Sequence, residues 1–521
     1  MHDIPINVSK KILADISSGI YRTPANALKE LVSNAFDASA HKVVISTNAP
    51  YFDVFTCEDD GDGISSKEFE KIVNIIGSSK KRTGGAIVSN IGRPIIGKIG
   101  IGFLAVAQIC TKFTVISKKK GEKNYFQATI DLKQFEDVEK EKSYTNGEGD
   151  ISLGSCQIEE DLEDELGKDT HYTKIIMEEL KEGFRSKLVQ EEQEESKRIF
   201  KITKKAAKSD TLIKFIESIK NKTFNELSQY DQLIWEIGIL CPVEYMDSGP
   251  LPDNEIIHSD IKRLRGYNFK VFIDGFEMRK PVLFPTDKDL NKKDSDYKIY
   301  PYISFQEKPS IPNLAFTGYI FHQRKKILLP ELQGVLIRIK DVAVGGYDRT
   351  FLHYPKAEGP MFNQLTGEIF VESGLEEALN IDRNSFNEAH PHFLKLQQFL
   401  WDYLGGQNGV FKDIRKRSKE RRDKVHKKQS EEELMKIIAS LKDKLELDIT
   451  LERQSKTSEH PYNYNKNEKK ITIFSNSFWA KDSKTRLFQE KIVVAMIGAR
   501  EISKDIDSFE KNILKIFSYG K

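Results

Sequence analysis

The sequence predicts an α+β protein built from several domains, and three observations carry that reading. Residues 1–182 interleave short runs of β-branched and aromatic residues with helical periodicity and glycine clusters. Residues 256–405 return to strand-like runs and close on a helix, which makes a second, α/β block. From 406 the chain turns helical, and 451–521 has the pattern of a small α+β region. A length of 521 residues accommodates roughly three to four domains.

In the first block, VVIST (43–47), YFDVFTC (51–57), KFTVIS (112–117), YFQATIDL (125–132) and HYTKIIM (171–177) read as strands because they are rich in β-branched and aromatic residues. The polar stretch 133–170, heavy in Glu, Lys, Asp and Gly, reads as an exposed excursion or mobile loop. Residues 183–255 read as charged helix, stopped by Pro242. YNFKVFIDG, LAFTGYIFHQ, GVLIRIKDVAV and GEIFVES are the strands of the second block, and SFNEAHPHFLKLQQFLWDYL is its closing helix. Residues 411–428 hold ten Lys and Arg against three Asp and Glu. Leu434, Ile437, Ile438, Leu441 and Leu445 follow at helix-face spacing, so one long helix or a broken pair is expected there. The final pattern is strand, connector, helix.

Composition narrows the class. With 81 basic and 79 acidic residues the net charge is +2, so the chain is not basic throughout in the manner of a nucleic-acid coat. The near balance averages the basic run against acidic stretches at 133–166 and 191–195. A mean hydropathy of −0.49 and the lack of any long apolar run argue against a spanning helix. MHDIPINVSKK has no apolar signal core. Cys57, Cys110, Cys156 and Cys241 are far apart, which argues against a disulfide scaffold or zinc ribbon and points to a reduced, cytoplasmic protein. The histidines show no metal-binding spacing.

Three segments carry chemistry. TPANALKELVSNAFDASA starts with Thr23 as candidate N-cap and Pro24 at the first helical position. At about 100° per residue, Glu30, Asn34 and Asp37 share one narrow stripe, and Leu28, Leu31, Val32 and Ala35 lie on the opposite side. An ordinary amphipathic helix with a solvated face would show this too, although such faces usually carry Lys and mixed charges. An amide oxygen beside carboxylates also suits a magnesium-bound phosphate, with one carboxylate free to take a proton from water.

The second segment, CEDDGDGI at 57–64, follows a strand. Gly61 and Gly63 allow a tight turn with close ligand approach, and Asp59 can accept from an exocyclic amine. An acidic surface turn is the plain alternative, and the EF-hand spacing is absent. In the third segment, GKIGIG at 97–102, Gly97, Gly100 and Gly102 lead into the apolar run FLAVAQIC, expected to be a helix whose start favours phosphate. It is neither a Walker A loop nor a convincing dinucleotide fingerprint.

Taken together and in this order, the three segments resemble the GHKL ATPase superfamily of gyrase, the ninety-kilodalton heat-shock chaperone, histidine kinase and MutL. ELVSNAFDA matches its first box, DDGDG its second and GKIGIGF its third. The resemblance implies a Bergerat-fold ATPase sandwich with ATP and Mg²⁺ as ligands. Carried over by position, Glu30 would position or deprotonate the attacking water, Asn34 would hold Mg²⁺, Asp37 would support the site and Asp59 would take the adenine amine. Gly61, Gly63, Gly97, Gly100 and Gly102 would shape the loops, with Ile101 and Phe103 in the third box and Ile64 in the adenine wall, where relatives often have Met. Thr173 fits the family threonine near adenine, although Tyr172 replaces the usual glycine. Residues 64–96 would form the nucleotide lid, and Lys80 within it resembles a phosphate-contacting lysine, its alternative being a solvated loop residue.

GEIFVESGLEEALNIDRNSF resembles the chaperone's middle-domain segment, so Arg383 would sense the γ-phosphate, its plain alternative being a residue that caps a loop, with Asp382 departing from the usual Ser. SSGIYRTPANALKELVSNAFDA and LQGVLIRIKDVAVGGYDRTF are most similar to chaperone-like or MORC-like prokaryotic ATPases. The implied layout is an ATP-binding domain at 1–182, a charged helical connector at 183–255, a transducer-like middle domain at 256–405, a basic, amphipathic helix at 406–450 and a small C-terminal domain at 451–521. The implied function is a slow ATPase acting as an ATP-gated homodimeric clamp or chaperone-like switch, with N-terminal contact between protomers. The alternative is a nucleotide-gated scaffold or DNA-associated MORC- or MutL-like subunit of a prokaryotic defence or repair system. A DNA or protein client would bind through 411–428, whose plain alternative is a solvated helix face.

Overall fold

The computed structural model describes residues 2–8, 24–74, 89–93, 102–132, 151–164, 169–190, 214–216, 222, 224–246, 255–282, 284–285, 287–290, 292–302, 314–327, 329–380, 384–480 and 482–517. The chain forms two compact units, Met1–Asp402 and Tyr403–Lys521. Both mix helix and sheet, as expected of an α+β protein. Among the described residues no helix is long and apolar enough to cross a membrane.

The first unit begins with β1 (His2–Val8) and α1 (Pro24–Asp37). β2 (Lys42–Ser46), β3 (Phe55–Asp59) and α2 (Ser66–Asn74) follow. β4 (Cys110–Lys118), β5 (Asn124–Asp131), β6 (Ile151–Glu163) and β7 (Tyr172–Leu180) supply most of the first sheet. Among the described residues, nine strands make that sheet in the order β1-β6-β5-β4-β7-β3-β2-β8-β9. Its last two members, β8 (Lys270–Ile273) and β9 (Phe276–Glu277), come from much later in the chain. β8 lies parallel to β2, with Val43 opposite Val271. The run read as the first strand of the second block thus extends the first sheet.

Helices cover one face. On α1 the expected apolar residues Leu28, Leu31, Val32 and Ala35 are all buried, with Phe36. α3 (Glu182–Gln190) and α4 (Gln229–Leu240) follow, and α4 packs against α1. α4 starts where the Ser228 side chain accepts the Asp231 N–H, and it ends two residues before Pro242.

α5 (Glu255–Gly266) lies against a second sheet of β10 (Tyr297–Tyr302), β11 (Ala315–Gln323), β12 (Gly334–Ile339), β13 (Val342–Ala343) and β14 (Leu365–Ser373). Its order is β10-β11-β14-β12-β13, with β12 and β14 parallel. Inside it, Glu368 is fully buried and accepts from Arg338 Nε at 2.6 Å, from Tyr319 at 2.7 Å and from Tyr245. Arg338 also donates to the Ile239 carbonyl at the end of α4, at 2.9 Å. One apolar core runs continuously from α1 to β14.

The second unit holds the end of α6 (Pro391–Gly405), then α7 (Val410–Leu445), the small sheet β15 (Thr450–Gln454), β16 (Tyr462–Asn465) and β17 (Lys470–Phe474), α8 (Ser483–Ile502) and α9 (Ile506–Phe517). The basic run and its apolar sequel are one 36-residue helix. Leu434 and Leu441 meet Val494, Ala495 and Ala499 of α8 in a separate core.

Three local expectations are corrected. The stretch 133–170 is not all excursion, because β6 occupies 13 residues of it and pairs with both β1 and β5. Cys156 and Ile158 are buried and alternate with exposed Ser155 and Gln157, a period-two signal hidden among acidic neighbours. Strand β3 begins at Phe55 rather than 51, because the Tyr51 and Phe52 amides close a turn on the Asn48 carbonyl. The run after the third glycine cluster is a seven-residue 3-10 helix, Gly102–Gln108, not an α-helix. Cys110 is already paired with Leu180 in the sheet, which leaves too little chain for a longer helix.

Candidate nucleotide site

The site forms where β3 runs out beside β7 and β4. In the antiparallel register Asp59 lies opposite Thr173, and Thr173 lies opposite Ser117. This row of a carboxyl and two hydroxyls spans three strands. Ser117 Oγ accepts the Ile64 N–H at 3.0 Å and donates to the Tyr172 carbonyl at 3.1 Å. Its single proton is thereby used, so Thr173 is the donor in their 3.0 Å contact. Asp59 Oδ1 accepts the Gly61 N–H at 2.9 Å. Part of the Asp59 surface stays open, yet desolvation pushes its pKa up to about 7, and Asp60 and Glu58 add to the shift.

The glycines of this turn are steric requirements. A Cβ at Gly61 would sit 2.7 Å from Asp59 Oδ1 and 2.8 Å from the Ala38 carbonyl oxygen. Gly63 has φ +63°, and its Cβ would fall 2.0 Å from the Lys118 carbonyl oxygen. His171 Nδ1 lies 2.6 Å from the Gly61 carbonyl, which sets that nitrogen as the protonated one. Ile64 is half-buried and packs on the core beside this turn.

The turn is tied to α1. The Asp62 N–H donates to the Ala38 carbonyl at 2.7 Å, and the Ala38 N–H donates to the Asn34 backbone carbonyl at 2.9 Å. On α1 the polar stripe divides: Asn34 is exposed and Asp37 half-buried, while Glu30 is only 1 % exposed. Lys29 is equally buried, with Nζ 3.8 Å from Glu30 Oε1. The same nitrogen donates to Asn384 Oδ1 at 3.1 Å. A solvated polar face does not describe this helix.

The structure therefore gathers Asp59, Gly61, Gly63, Ile64 and Thr173 at one turn and links that turn to the helix bearing Glu30, Asn34 and Asp37. Gly102 and Phe103 lie in the 3-10 helix. Lys80, Gly97, Gly100, Ile101 and Arg383, with the candidate cap Thr23, lie outside the described residues. Sequence reasoning missed Lys29, Ser117, His171 and Asn384. Ser117 closes an ordinary β-rich run, and no spacing marks it as the neighbour of Thr173.

A sheet backed by helices, with the Asp59 carboxyl at the end of one strand and the buried Glu30 on the covering helix, is the arrangement expected of an ATPase-type nucleotide domain. Residues 21–173 match the family described as histidine kinase-, DNA gyrase B-, and HSP90-like ATPase. Over these residues the chain is similar to that family, and its sheet backed by helices is consistent with the Bergerat architecture. No curated protein matches the chain.

Proposed function

We propose that the chain binds Mg-ATP in its N-terminal domain, hydrolyses it slowly, and uses the cycle to drive a homodimeric clamp or chaperone-like switch in the cytoplasm. The observation that carries this reading is the Asp59–Thr173–Ser117 row beside a turn that only glycine fits. It supports adenine recognition, with Asp59 taking the exocyclic amine and Thr173 and Ser117 completing the polar edge. Glu30 acts as the base that orients or deprotonates water. The exposed Asn34 amide is the residue that would hold Mg²⁺; among the described residues no cluster of three acidic, His or Cys side chains offers another metal site. When bound with the nucleotide, the ion neutralises phosphate charge. Asp37 supports Asn34, and Lys80 and Arg383 contribute phosphate contacts, Arg383 from a transducer-like middle domain. Turnover is slow because closure precedes chemistry.

Steady-state turnover and ATP binding of the Glu30→Ala and Asn34→Ala variants test the site. Glu30→Ala is expected to bind ATP and lose at least about a hundredfold in turnover, the usual weight of a general base. Asn34→Ala should lose Mg-ATP binding. Unchanged turnover in both would reject the assignment. A second reading, a DNA-associated nucleotide-gated subunit, is favoured by α7, whose Arg415, Lys416, Lys419, Arg422, Lys424, Lys427 and Lys428 are all exposed.

A further inference from the structure

Lys29 stands one residue before Glu30, and a helical step of about 100° carries it off the Glu30–Asn34–Asp37 stripe. It is nevertheless among the largest fully buried side chains of the protein. A buried ammonium must be held by oxygen atoms. One is the Glu30 carboxylate, 3.8 Å away, an ion pair without a direct hydrogen bond. Another is Asn384 Oδ1 at 3.1 Å, 355 residues further along the chain.

Asn384 is itself fixed. The chain on either side of it is braced by the Asn380 N–H on the Ser385 carbonyl at 3.0 Å and the Asn387 N–H on the Ala378 carbonyl at 2.7 Å. Leu379 and Phe386 form a β-bridge between them. The Asn384 carbonyl lies over Gly345, which has φ +66° and where a Cβ would come within 2.6 Å of that oxygen. Asn384 is thus seated between a glycine of the second sheet's border and a lysine of α1.

We propose that Lys29 is a positioning residue that ties the Glu30 carboxylate to the Asn384 segment, so that the base is correctly placed only while that segment is docked. This rests on the reading of Glu30 as the hydrolytic base. The residue types suit the task. An ammonium has three donors, so Lys29 serves Asn384 and keeps its charge for Glu30. Asn384 is neutral and accepts without competing for that charge, whereas a carboxylate there would draw the ammonium away. Because both ions are out of water, their attraction is weakly screened and a small shift of Lys29 moves Glu30 with it.

Turnover and ATP affinity of the full chain are measured for Lys29→Met, Asn384→Ala, Gly345→Ala and the Lys29→Met/Asn384→Ala double variant. Lys29→Met should lower kcat about tenfold with ATP Kd changed less than about twofold, the signature of lost positioning rather than lost binding. Asn384→Ala and Gly345→Ala should each lower kcat about threefold, and the double variant should be no slower than Lys29→Met alone, because the two residues act in series. If the Lys29 variants do not fold, Gly345→Ala, at a position assigned no contact with the nucleotide, still decides the matter through the same kcat and Kd split. Multiplicative losses in the double variant, or losses confined to Kd, would overturn the linkage. Amide exchange at Asn380 and Asn387 is read in parallel: faster exchange in Lys29→Met supports the tie, and unchanged exchange opposes it. A wild-type chain that binds Mg-ATP without ever turning it over would reject the ATPase reading and with it the role in catalysis, while the exchange result would still report the contact.

Discussion

Asp59 ends its strand in a carboxyl whose residue is only partly buried, yet which is desolvated enough to hold its proton to about pH 7. Its folded pKa stands above the ordinary carboxylate value, so the folded state binds a proton that the unfolded chain releases. The stability this group contributes is therefore present below about pH 4 and lost as pH rises through about 7. Against Asp59→Asn, the wild type should lose melting temperature across that window, and a parallel decline in both would show that another group is responsible. The adenine recognition proposed for the ionised carboxylate runs the other way. Nucleotide affinity should rise about tenfold from pH 6 to pH 8, the factor expected for ionising a group of pKa about 7, and Asp59→Asn should bind weakly with a flattened profile. At this scale the sequence was legible wherever an unusual residue type was needed. Gly61 and Gly63 stand out because nothing else fits, and Asp59 because it precedes them. Ser117 and Lys29 did not, since serine in a strand and lysine in a helix are ordinary until their neighbours are known.

Elements read well when their signal was undiluted, α1 by its helix-face spacing and β4 and β7 by their β-branched and aromatic content, and poorly when acidic neighbours masked it, as in β6. The segment 89–93 shows what only packing reveals. Arg93 is buried, stacked 4.9 Å from the Phe36 ring and 5.4 Å from the Phe269 ring, and it donates to the carbonyls of Ala40 and Tyr267. Asn90, three residues earlier, donates to Asp62 of the glycine turn at 3.0 Å. The Tyr267 hydroxyl in turn donates to Asp341 at 2.7 Å, and Asp341 is clamped by Arg263 through two hydrogen bonds. One tyrosine thus joins the edge of the nucleotide turn, through its backbone, to the border of the second sheet, through its phenol. Arg93→Met should cost about 3 kcal/mol in a denaturation midpoint, because two buried carbonyls lose their donor. Tyr267→Phe should cost about 2 kcal/mol, the value of a hydrogen bond to a charged acceptor. Midpoints unchanged in both would show the joint to be incidental.

For the whole molecule, the decisive facts are the two units and the continuity of the first. The second sheet shares its core with the first, and the buried Glu368–Arg338 pair reaches the end of α4, so α1, α4 and β14 belong to one packed body. The second unit carries the basic part of α7, whose local excess of positive charge the overall net charge of +2 conceals. If that surface meets nucleic acid, duplex DNA should bind at low salt and weaken steeply as salt rises, because neutralised phosphates release counterions. Stimulation of turnover by unfolded protein, with no DNA binding at low salt, would favour the chaperone-like role. The sequence by itself determined the α+β class, the Asp-x-Gly-x-Gly turn and the Glu-x-x-x-Asn helix, because each depends on local constraints: periodicity, backbone freedom and helix-face spacing. Only the tertiary structure decided that Glu30 is buried against Lys29, that Ser117 stands beside Thr173, and that Asn384 reaches α1. Those are juxtapositions of residues tens to hundreds of positions apart, set by sheet register and core packing, which no local pattern records.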